Sequence, residues 1–476
     1  MMPLLSFSGF RMTMFRRAAL LLLLATGTAQ AEPLPALTRE GLQALTLAES
    51  SISLRSVAGA QNETVSVAEL YRKALVSGGF PESAITITRQ DDTAFLVLRW
   101  RGQDASLKPL VISGHMDVVA ANATDWTRDP FTPVVEDGYL FGRGSTDMKM
   151  SNALAITALI HLRQHDYKPE RDIVLALSGD EETSMKTGQI LAKMFSNASQ
   201  VLNLDAGGGT LDEETGRPLY YTWSGAEKTY ADLSLDVADP GGHSSEPRAR
   251  NAIDVLAAAL LKVQAHSFRP ELNALTRSYF MNAARFSPPK LAAAMRIFAA
   301  SPDNAKAVAI LRADPALVGS IGTTCVVTMV HGGHAPNALP QRAQANINCR
   351  IFPGHSRYDM IRELTAVIDD PSVHIADQTA GSVETQPSPL DTPFSAAVAR
   401  AAHEAYPDVP VFPSMSSGAS DSMWFRALNI PSYGASPIFM KSSDDFSHGL
   451  NERVPLSTIT PGLHFLLSLI PDLARK

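Results

Sequence analysis

The sequence predicts an α/β domain with a mostly parallel central sheet, interrupted by an α+β domain. Short continuous apolar runs alternate with helical patterns from about residue 110, which is typical of parallel strands that helices cover on both faces. Near residue 230 the pattern changes to strict apolar–polar alternation, which indicates a sheet with one solvent-facing side. The first pattern returns after about residue 389.

The composition is that of a globular protein. The 476 residues are 45% apolar and 19% charged, with a formal net charge of −7. Disordered chains have fewer apolar residues or a much larger net charge, and a negative charge argues against a nucleic-acid partner. Two cysteines exclude a disulfide-rich scaffold and a four-cysteine zinc module. The length predicts two or three domains.

The N-terminus has the pattern of a secretory signal peptide. Arg16 and Arg17 precede an apolar run over 18–25, and the sequence Ala-Gln-Ala ends at Ala31. The run is shorter than the roughly 20 residues of a membrane span, although an uncleaved anchor is the alternative. We therefore expect cleavage after residues 1–31 and export to the periplasm or the medium, without membrane contact afterwards.

The first α/β stretch contains three buried runs and two helices. The runs cover 110–112, 173–177 and 201–204, and each ends in small or polar residues. Apolar residues at helical spacing predict a helix over 150–165, and an amphipathic pattern predicts another over 32–56.

The middle stretch predicts a half-exposed antiparallel sheet with helices on one side. A strand is expected over 230–237, and two more, over 324–330 and 343–351, surround an Asn-Ala-Leu-Pro turn. Helices are expected over 251–266 and 358–368, with extra helices of the same domain over about 268–320. In the last stretch we expect a helix over 396–406, a buried run over 430–433 and a final helix after Pro455.

Each buried run of the first stretch is followed by residues that bind metals or move protons. His115 and Asp117 follow the first run, Glu181 and Glu182 the second, and Asp205 the third. Ligands of open α/β sheets bind outside the carboxyl ends of the strands. We therefore expect these side chains to converge on one crevice.

Two further segments complete a metal-binding pattern. Asp147 follows a glycine-rich loop that begins at Gly142, and His448 lies in a loop of small polar residues before the last helix. Singly, Asp147 could cap a helix and an adjacent glutamate pair could be solvated. Together, imidazole and carboxylate groups suit zinc. A pair of ions about 3.5–4 Å apart also needs a bridging carboxylate.

The combined pattern resembles the co-catalytic zinc metallopeptidase family of glutamate carboxypeptidase, carboxypeptidase S, aminoacylase and succinyl-diaminopimelate desuccinylase. The similarity spans nearly all of the chain after residue 31. It implies a catalytic domain in two parts, 32–225 and 386–476. Between them it implies a lid and dimerisation domain over 226–385, with a helical insertion near 268–320.

The resemblance also implies two divalent metal ions, zinc before cobalt or manganese. It assigns metal binding to His115, Asp147, Glu182, Asp205 and His448. His115 and Asp205 would hold one ion, Glu182 and His448 the other, and Asp147 would bridge them.

Two acidic residues receive catalytic roles from the same resemblance. Asp117 would orient His115, since metal-bound imidazoles are usually fixed by a second hydrogen bond. Glu181 would be the general base, which takes a proton from the attacking water and passes it to the leaving nitrogen.

The resemblance suggests four substrate-binding residues: His243, Asn337, Arg350 and Gly418. Arg350 would clamp a free carboxylate, although a surface arginine at a strand edge is the alternative. Relatives usually carry aspartate where this chain has Asn348. His243 would reach the substrate carbonyl, sometimes across a homodimer formed through the lid.

The function that this pattern predicts is an exported, metal-dependent exopeptidase that hydrolyses the peptide bond next to a C-terminal residue. The alternative is an N-acyl-amino-acid amidohydrolase, and a non-catalytic metal-binding relative is a third. Small peptides and N-acyl amino acids need the same metals and the same carboxylate clamp, so the sequence leaves the first two open.

The two cysteines are equidistant from residue 337, at the centre of the predicted hairpin. Cys325 and Cys349 would therefore face each other across the strands, within disulfide range. An exported protein can oxidise such a pair, and two buried free thiols are the alternative.

Overall fold

The computed structural model describes residues 37–390 and 392–476. The predicted signal peptide over 1–31 lies outside the described residues. In the described part of the chain, no helix combines the length and the apolar character needed to cross a membrane.

Strands and helices alternate through most of the described chain. The strands are β1 (Ile85–Gln90), β2 (Thr93–Trp100), β3 (Leu110–His115), β4 (Val134–Glu136), β5 (Tyr139–Phe141), β6 (Ile173–Ser178), β7 (Gln200–Asn203), β8 (Gly208–Leu211), β9 (Pro218–Glu227), β10 (Thr229–Ala238), β11 (Gly242–His243), β12 (Thr324–Gly332), β13 (Ala338–Leu339), β14 (Arg342–Ile351), β15 (Val373–Asp377), β16 (Val411–Ser416), β17 (Ser432–Gly434), β18 (Phe439–Lys441) and β19 (Arg453–Pro455). The α-helices are α1 (Arg39–Ile52), α2 (Thr64–Ser77), α3 (Met150–Gln164), α4 (Lys186–Met194), α5 (Ala252–Ala265), α6 (Ala274–Ala283), α7 (Pro289–Ala300), α8 (Ala305–Arg312), α9 (Pro315–Val318), α10 (Arg357–Ile368), α11 (Pro393–Ala405), α12 (Ser422–Ala427) and α13 (Ile459–Leu473).

The larger sheet has ten strands among the described residues, in the order β1-β2-β6-β3-β7-β17-β9-β8-β18, with β16 beside β9. Its centre, from β6 through β3 and β7 to β17, is parallel. Antiparallel pairs of β1 with β2 and of β8 with β9 flank that centre, so the sheet is mixed. The α/β prediction is confirmed, with antiparallel strands at both sides of the parallel centre.

Helices cover both faces of this parallel centre, which explains its continuous apolar runs. Leu110 and Ile112 of β3 point into a core that α1, α2, α3 and α13 also line. Val111 points the opposite way, into a core with Leu191 of α4 and Phe425 of α12. Alternate residues of a strand face opposite sides of a sheet, so every β3 residue is buried.

The second sheet is antiparallel, in the order β12-β14-β10-β15. Leu233 and Leu235 of β10 and Ile347 of β14 are buried beneath α5 and α10. Side chains at alternate positions are polar and partly exposed on the other face. The alternation in the sequence thus reports one buried and one open face.

Four helices, α6 to α9, occupy the stretch 274–318. Phe280 and Phe298 of this group form a buried cluster with Phe412 of β16, and Tyr220 of β9 packs against that cluster. The extra helices therefore extend the core beside the larger sheet, although the sequence predicted them as part of the middle domain.

Strands β12 and β14 pair with Cys325 opposite Cys349. Their Cα atoms are 4.0 Å apart, and the two sulfurs form a disulfide. Of the two alternatives that the sequence left open, the structure contains the disulfide.

Candidate active site

The parallel centre of the larger sheet brings the chemically active residues to one edge. His115 is the last residue of β3, Glu181 and Glu182 follow β6, and Asp205 follows β7. These strands run in the same direction, so their carboxyl ends lie side by side.

Asp147 lies between two imidazoles. Its Oδ1 is 2.9 Å from His115 Nε2, and its Oδ2 is 3.3 Å from His448 Nε2. Asp205 Oδ1 lies 3.7 Å from the first imidazole nitrogen, and Glu182 Oε2 lies 2.9 Å from the second. The structure thus brings together all five residues that the sequence proposed as metal ligands; their role as ligands stays a prediction.

Asp117 connects the two neighbouring loops of this cluster. Its Oδ1 lies 3.5 Å from His115 Nδ1. The same carboxylate accepts hydrogen bonds from the backbone N–H groups of Glu181 at 3.1 Å and Glu182 at 3.0 Å. The backbone carbonyl of Asp117 is closer still to His115 Nδ1, at 3.0 Å, and fixes the ring orientation.

Glu452 holds the loop that carries Asp147, and the sequence interpretation gave it no role. Its carboxylate accepts hydrogen bonds from the N–H groups of Gly144, Thr146 and Asp147 at 2.8–2.9 Å. It also pairs with Arg143 Nη1 at 2.7 Å, and both side chains are buried. A loop glutamate is usually solvated, so only the three-dimensional contacts separate this one from a surface residue.

Asn203 and a serine-rich loop position Asp205. The Asn203 side chain accepts the Asp205 N–H at 2.9 Å and donates to the hydroxyls of Ser420 and Ser422 at 3.0 and 2.8 Å. The chain after β7 is thus joined to the loop that contains Gly418.

The charges in the cluster influence one another. Burial alone would raise the pKa of Asp147, but hydrogen bonds from His115 and His448 outweigh it and hold that pKa below its usual value. Burial and, to a smaller extent, the charge of Asp147 raise the pKa of Glu182 to about 7. Hydrogen bonds to Asp147 and Glu182 raise the pKa of His448 to about 10.

This donor set suits divalent cations. Three overlapping groups of oxygen and nitrogen atoms lie within 4.8 Å of one another: His115 with Asp147 and Asp205, His115 with Glu181 and Glu182, and Asp147 with Glu182 and His448. Packed carboxylates without a cation repel one another, which favours their protonated forms. Hard oxygen donors and imidazoles at such spacing are typical of zinc and related ions.

Glu181 differs from its neighbours because its carboxylate has no hydrogen-bond partner among the described residues. The residue is also buried, with 7% of its surface exposed. Burial raises its pKa well above the usual value. A buried carboxylate without a hydrogen-bond partner, close to His115 and Glu182, is suited to accept and return a proton.

The proposed substrate-binding residues fall into two groups. Arg350 and Gly418 line one cavity at the junction of the two sheets. His243 and Asn337 lie together on a separate exposed ribbon, where the Ser244 N–H donates to the Asn337 carbonyl at 3.1 Å. The structure therefore does not bring His243 and Asn337 into the cluster of this protomer.

Asp232 of β10 lies opposite Asn348 of β14 and provides an acidic group near Arg350. Asn348 donates to Asp232 Oδ1 at 3.0 Å, and Asp232 also accepts from Tyr230. The Arg350 guanidinium lies 4.8 Å from the centre of the Tyr230 ring. Arg350 thus keeps an acidic and aromatic environment, which the alternation of β10 could have indicated because these residues share one face.

The fold and this site define a metallohydrolase of the peptidase type. Residues 111–472 match the model of peptidase family M20/M25/M40, so the chain belongs to that family and acts on amide bonds.

Known relatives agree with this assignment. The chain is 29% identical to probable carboxypeptidase S-like 2 of Dictyostelium discoideum over 79% of this chain and 74% of that protein. It is also 29% identical to the N-fatty-acyl-amino acid synthase/hydrolase PM20D1 of Xenopus tropicalis, over 78% and 74% of the two chains. The M20 family metallo-carboxypeptidase Sso-CP2 of Sulfolobus solfataricus has the same fold, with a TM-score of 0.70, 18% identity and coverage of 92% and 100%.

Replacing Glu452 by glutamine should weaken both the fold and the metal site. The change leaves the buried Arg143 charge without its partner, so we expect a loss of about 3–5 kcal/mol in the free energy of unfolding. Retained metal after dialysis should also fall, because glutamine keeps only one of the two oxygens that accept the N–H groups of the Asp147 loop. Chemical denaturation and elemental analysis measure the two effects. The control is Glu404→Gln on the exposed side of α11; equal values for both variants would contradict the proposed role.

Proposed function

We propose that this protein is a dinuclear metal-dependent exopeptidase that releases a C-terminal residue from a small peptide. The observation that carries the proposal is the buried, unpaired Glu181 carboxylate beside the five proposed metal ligands. A non-catalytic metal-binding relative would have no need of such a base.

The metal-binding residues would be His115 and Asp205 for one ion, Glu182 and His448 for the other, and Asp147 between them. Bound dications, most simply zinc, would polarise the scissile carbonyl and lower the pKa of a water molecule. Asp117 keeps the imidazole of His115 in place through the contacts described above.

Glu181 performs the proton transfers in this proposal. Its carboxylate takes a proton from the attacking water and delivers it to the amide nitrogen as the carbon–nitrogen bond breaks. Burial raises the pKa of Glu181, which makes its carboxylate a stronger base toward the attacking water. The products are a carboxylic acid and a free amine.

Arg350 and the Gly418 loop would hold the carboxylate of the departing residue. Among the described residues no carboxylate forms an ion pair within 4.0 Å with Arg350, whose guanidinium lies over the Tyr230 ring, so its donors are available to a substrate. On the other side of the cluster, Asp147 and Asp205 line a cavity of about 310 Å³ together with Ile438 and Met440. That cavity can receive the acyl side of the amide.

An N-acyl-amino-acid hydrolase is the second candidate. A relative of Xenopus tropicalis is named as an N-fatty-acyl-amino acid synthase/hydrolase. The apolar side chains Ile438 and Met440 in the smaller cavity suit an acyl chain as well as a peptide. Both candidates share the same base and the same carboxylate clamp.

Export is part of the proposal. The signal pattern over 1–31 supports it, and so does the Cys325–Cys349 disulfide, because structural disulfides form in oxidising compartments. We infer a periplasmic or secreted enzyme.

A homodimer through the second sheet is also proposed. β12 is an edge strand, and Val326, Met329 and Val330 on it are more than half exposed. An exposed apolar edge strand tends to pair with another chain. His243, exposed and apart from the cluster in its own protomer, would then be available to the site of the partner subunit.

Glu181→Gln should reduce kcat at least about a hundredfold, since a positioned general base typically contributes 10²–10⁴-fold. Zinc content should stay at the wild-type level because the five proposed ligands are intact. Steady-state kinetics and elemental analysis of the same samples provide the test. Full activity with normal metal content would show that Glu181 is not the base.

The carboxylate clamp predicts that free-acid substrates are required. Metal-loaded enzyme should cleave dipeptides or N-acetyl amino acids, whereas the matching C-terminal amides should lose at least about tenfold in kcat/KM, as expected for one charged hydrogen bond. Liquid chromatography of the products distinguishes peptidase from acylase activity. Equal turnover of acids and amides would count against Arg350 as the clamp.

Charge on the edge strand should separate the proposed dimer. Val330→Lys should sediment as a monomer under conditions where the wild type is a dimer, because a buried lysine opposes strand pairing. Leu42→Lys, at another exposed apolar position on α1, is the control and should leave the dimer intact. A wild-type protein that sediments as a monomer at micromolar concentration would refute the proposal.

A further inference from the structure

Two connections between the two sheets run side by side. The first is the short step from Glu227, the last residue of β9, to Thr229, the first residue of β10. The second leads from β15 to α11 and contains Ser388, whose N–H donates to the Gly225 carbonyl of β9 at 2.8 Å. The position of the second sheet against the larger sheet depends on how these connections are held.

Arg426 of α12 holds both connections. Its Nη1 donates to Glu227 Oε1 at 2.7 Å, and its Nε donates to Ser388 Oγ at 3.3 Å. Its Nη2 donates to the Ser432 carbonyl of β17 at 3.1 Å, which ties the ion pair to the larger sheet. Both charged side chains are buried, with 3% exposure each. Loss of either partner would leave a buried charge uncompensated, so the pair resists separation.

The second oxygen of Glu227 is linked to one of the proposed metal ligands. Ser420 Oγ donates to Glu227 Oε2 at 2.7 Å and accepts from Asn203 Nδ2 at 3.0 Å. Asn203 Oδ1 in turn accepts the Asp205 N–H at 2.9 Å. Glu227, Ser420 and Asn203 are all buried. A buried polar network with its members satisfied favours a single arrangement, so this one fixes the connection relative to Asp205.

The same connection continues into the strand beside Arg350. Tyr230 is the third residue after Glu227, and it lies opposite Arg350 in the pairing of β10 with β14. Its ring centre is 4.8 Å from the Arg350 guanidinium. A shift of Glu227 would therefore move Arg350 relative to Asp205.

We propose that Arg426 and Glu227 are positioning residues that set the separation between the metal cluster and Arg350. The inference rests on the proposed function, in which one substrate places its amide at the cluster and its carboxylate at Arg350. Neither positioning residue touches the substrate. Their effect is large because a misplacement of about 1 Å can cost about a hundredfold in rate.

The test removes the ion pair as a whole. The double variant Glu227→Gln/Arg426→Met leaves no unpaired charge in the interior, so it is expected to fold. Its kcat/KM for free-acid substrates should fall at least about tenfold, mainly through KM, while that for the matching C-terminal amides stays within about twofold of wild type. A loss of folded protein would lower both values equally and leave their ratio unchanged.

Two further variants control the comparison. Arg400→Met/Asp472→Asn removes another ion pair, between α11 and α13, and should keep the wild-type ratio of acid to amide turnover. Arg426→Lys retains the positive charge and should keep part of the ratio. An unchanged ratio in Glu227→Gln/Arg426→Met would overturn the inference while the proposed function stands.

A distance measurement decides the inference even if no amide substrate is cleaved. Spin labels on Thr365→Cys in α10 and Ser196→Cys after α4 report the separation of the two sheets by pulsed electron paramagnetic resonance, since the native cysteines form a disulfide. Removing the Glu227–Arg426 pair should shift or broaden the distance distribution. Identical distributions with and without the pair would refute the positioning role.

Discussion

The site depends on Asp147 being held between two imidazoles, and that placement follows from the cost of burying charge. A carboxylate removed from water needs donors or cations around it. The Nε2 atoms of His115 and His448 lie next to the two different oxygens of Asp147, as donors or as fellow ligands of a cation, although they come from distant parts of the sequence. The fold meets this requirement because it places both imidazoles within 3.3 Å of the Asp147 carboxylate.

The same requirement explains the residues that surround the cluster. The Glu452 carboxylate takes the backbone N–H groups of the Asp147 loop, and the Asp117 carboxylate takes those of Glu181 and Glu182. Each carboxylate thus orders a short segment of backbone and, through it, another acidic side chain. Side chains held in this way lose little additional freedom on binding a ligand, which is the advantage of a preorganised site.

The two sheets contribute different parts of the proposed site. The larger sheet is covered on both faces and fixes the acidic cluster at its edge. The second sheet keeps one polar face open, and Arg350 lies on that face near the junction. The proposed substrate would span the two sheets, with its amide at the acidic cluster and its anionic end at Arg350.

The sequence by itself determined the α/β class, the positions of β3, β6 and β7 and the residues that gather at their ends, but β2 and β9 were not predicted. Periodicity reports local burial, and the residues after β3, β6 and β7 meet because parallel strands end at one edge. The packing of α6 to α9 beside Phe412 and the pairing of Glu452 with Arg143 were decided only by the tertiary structure. Each depends on which distant segments become neighbours, and the free energy of burying a charged or apolar side chain is set by those neighbours rather than by its own stretch of sequence.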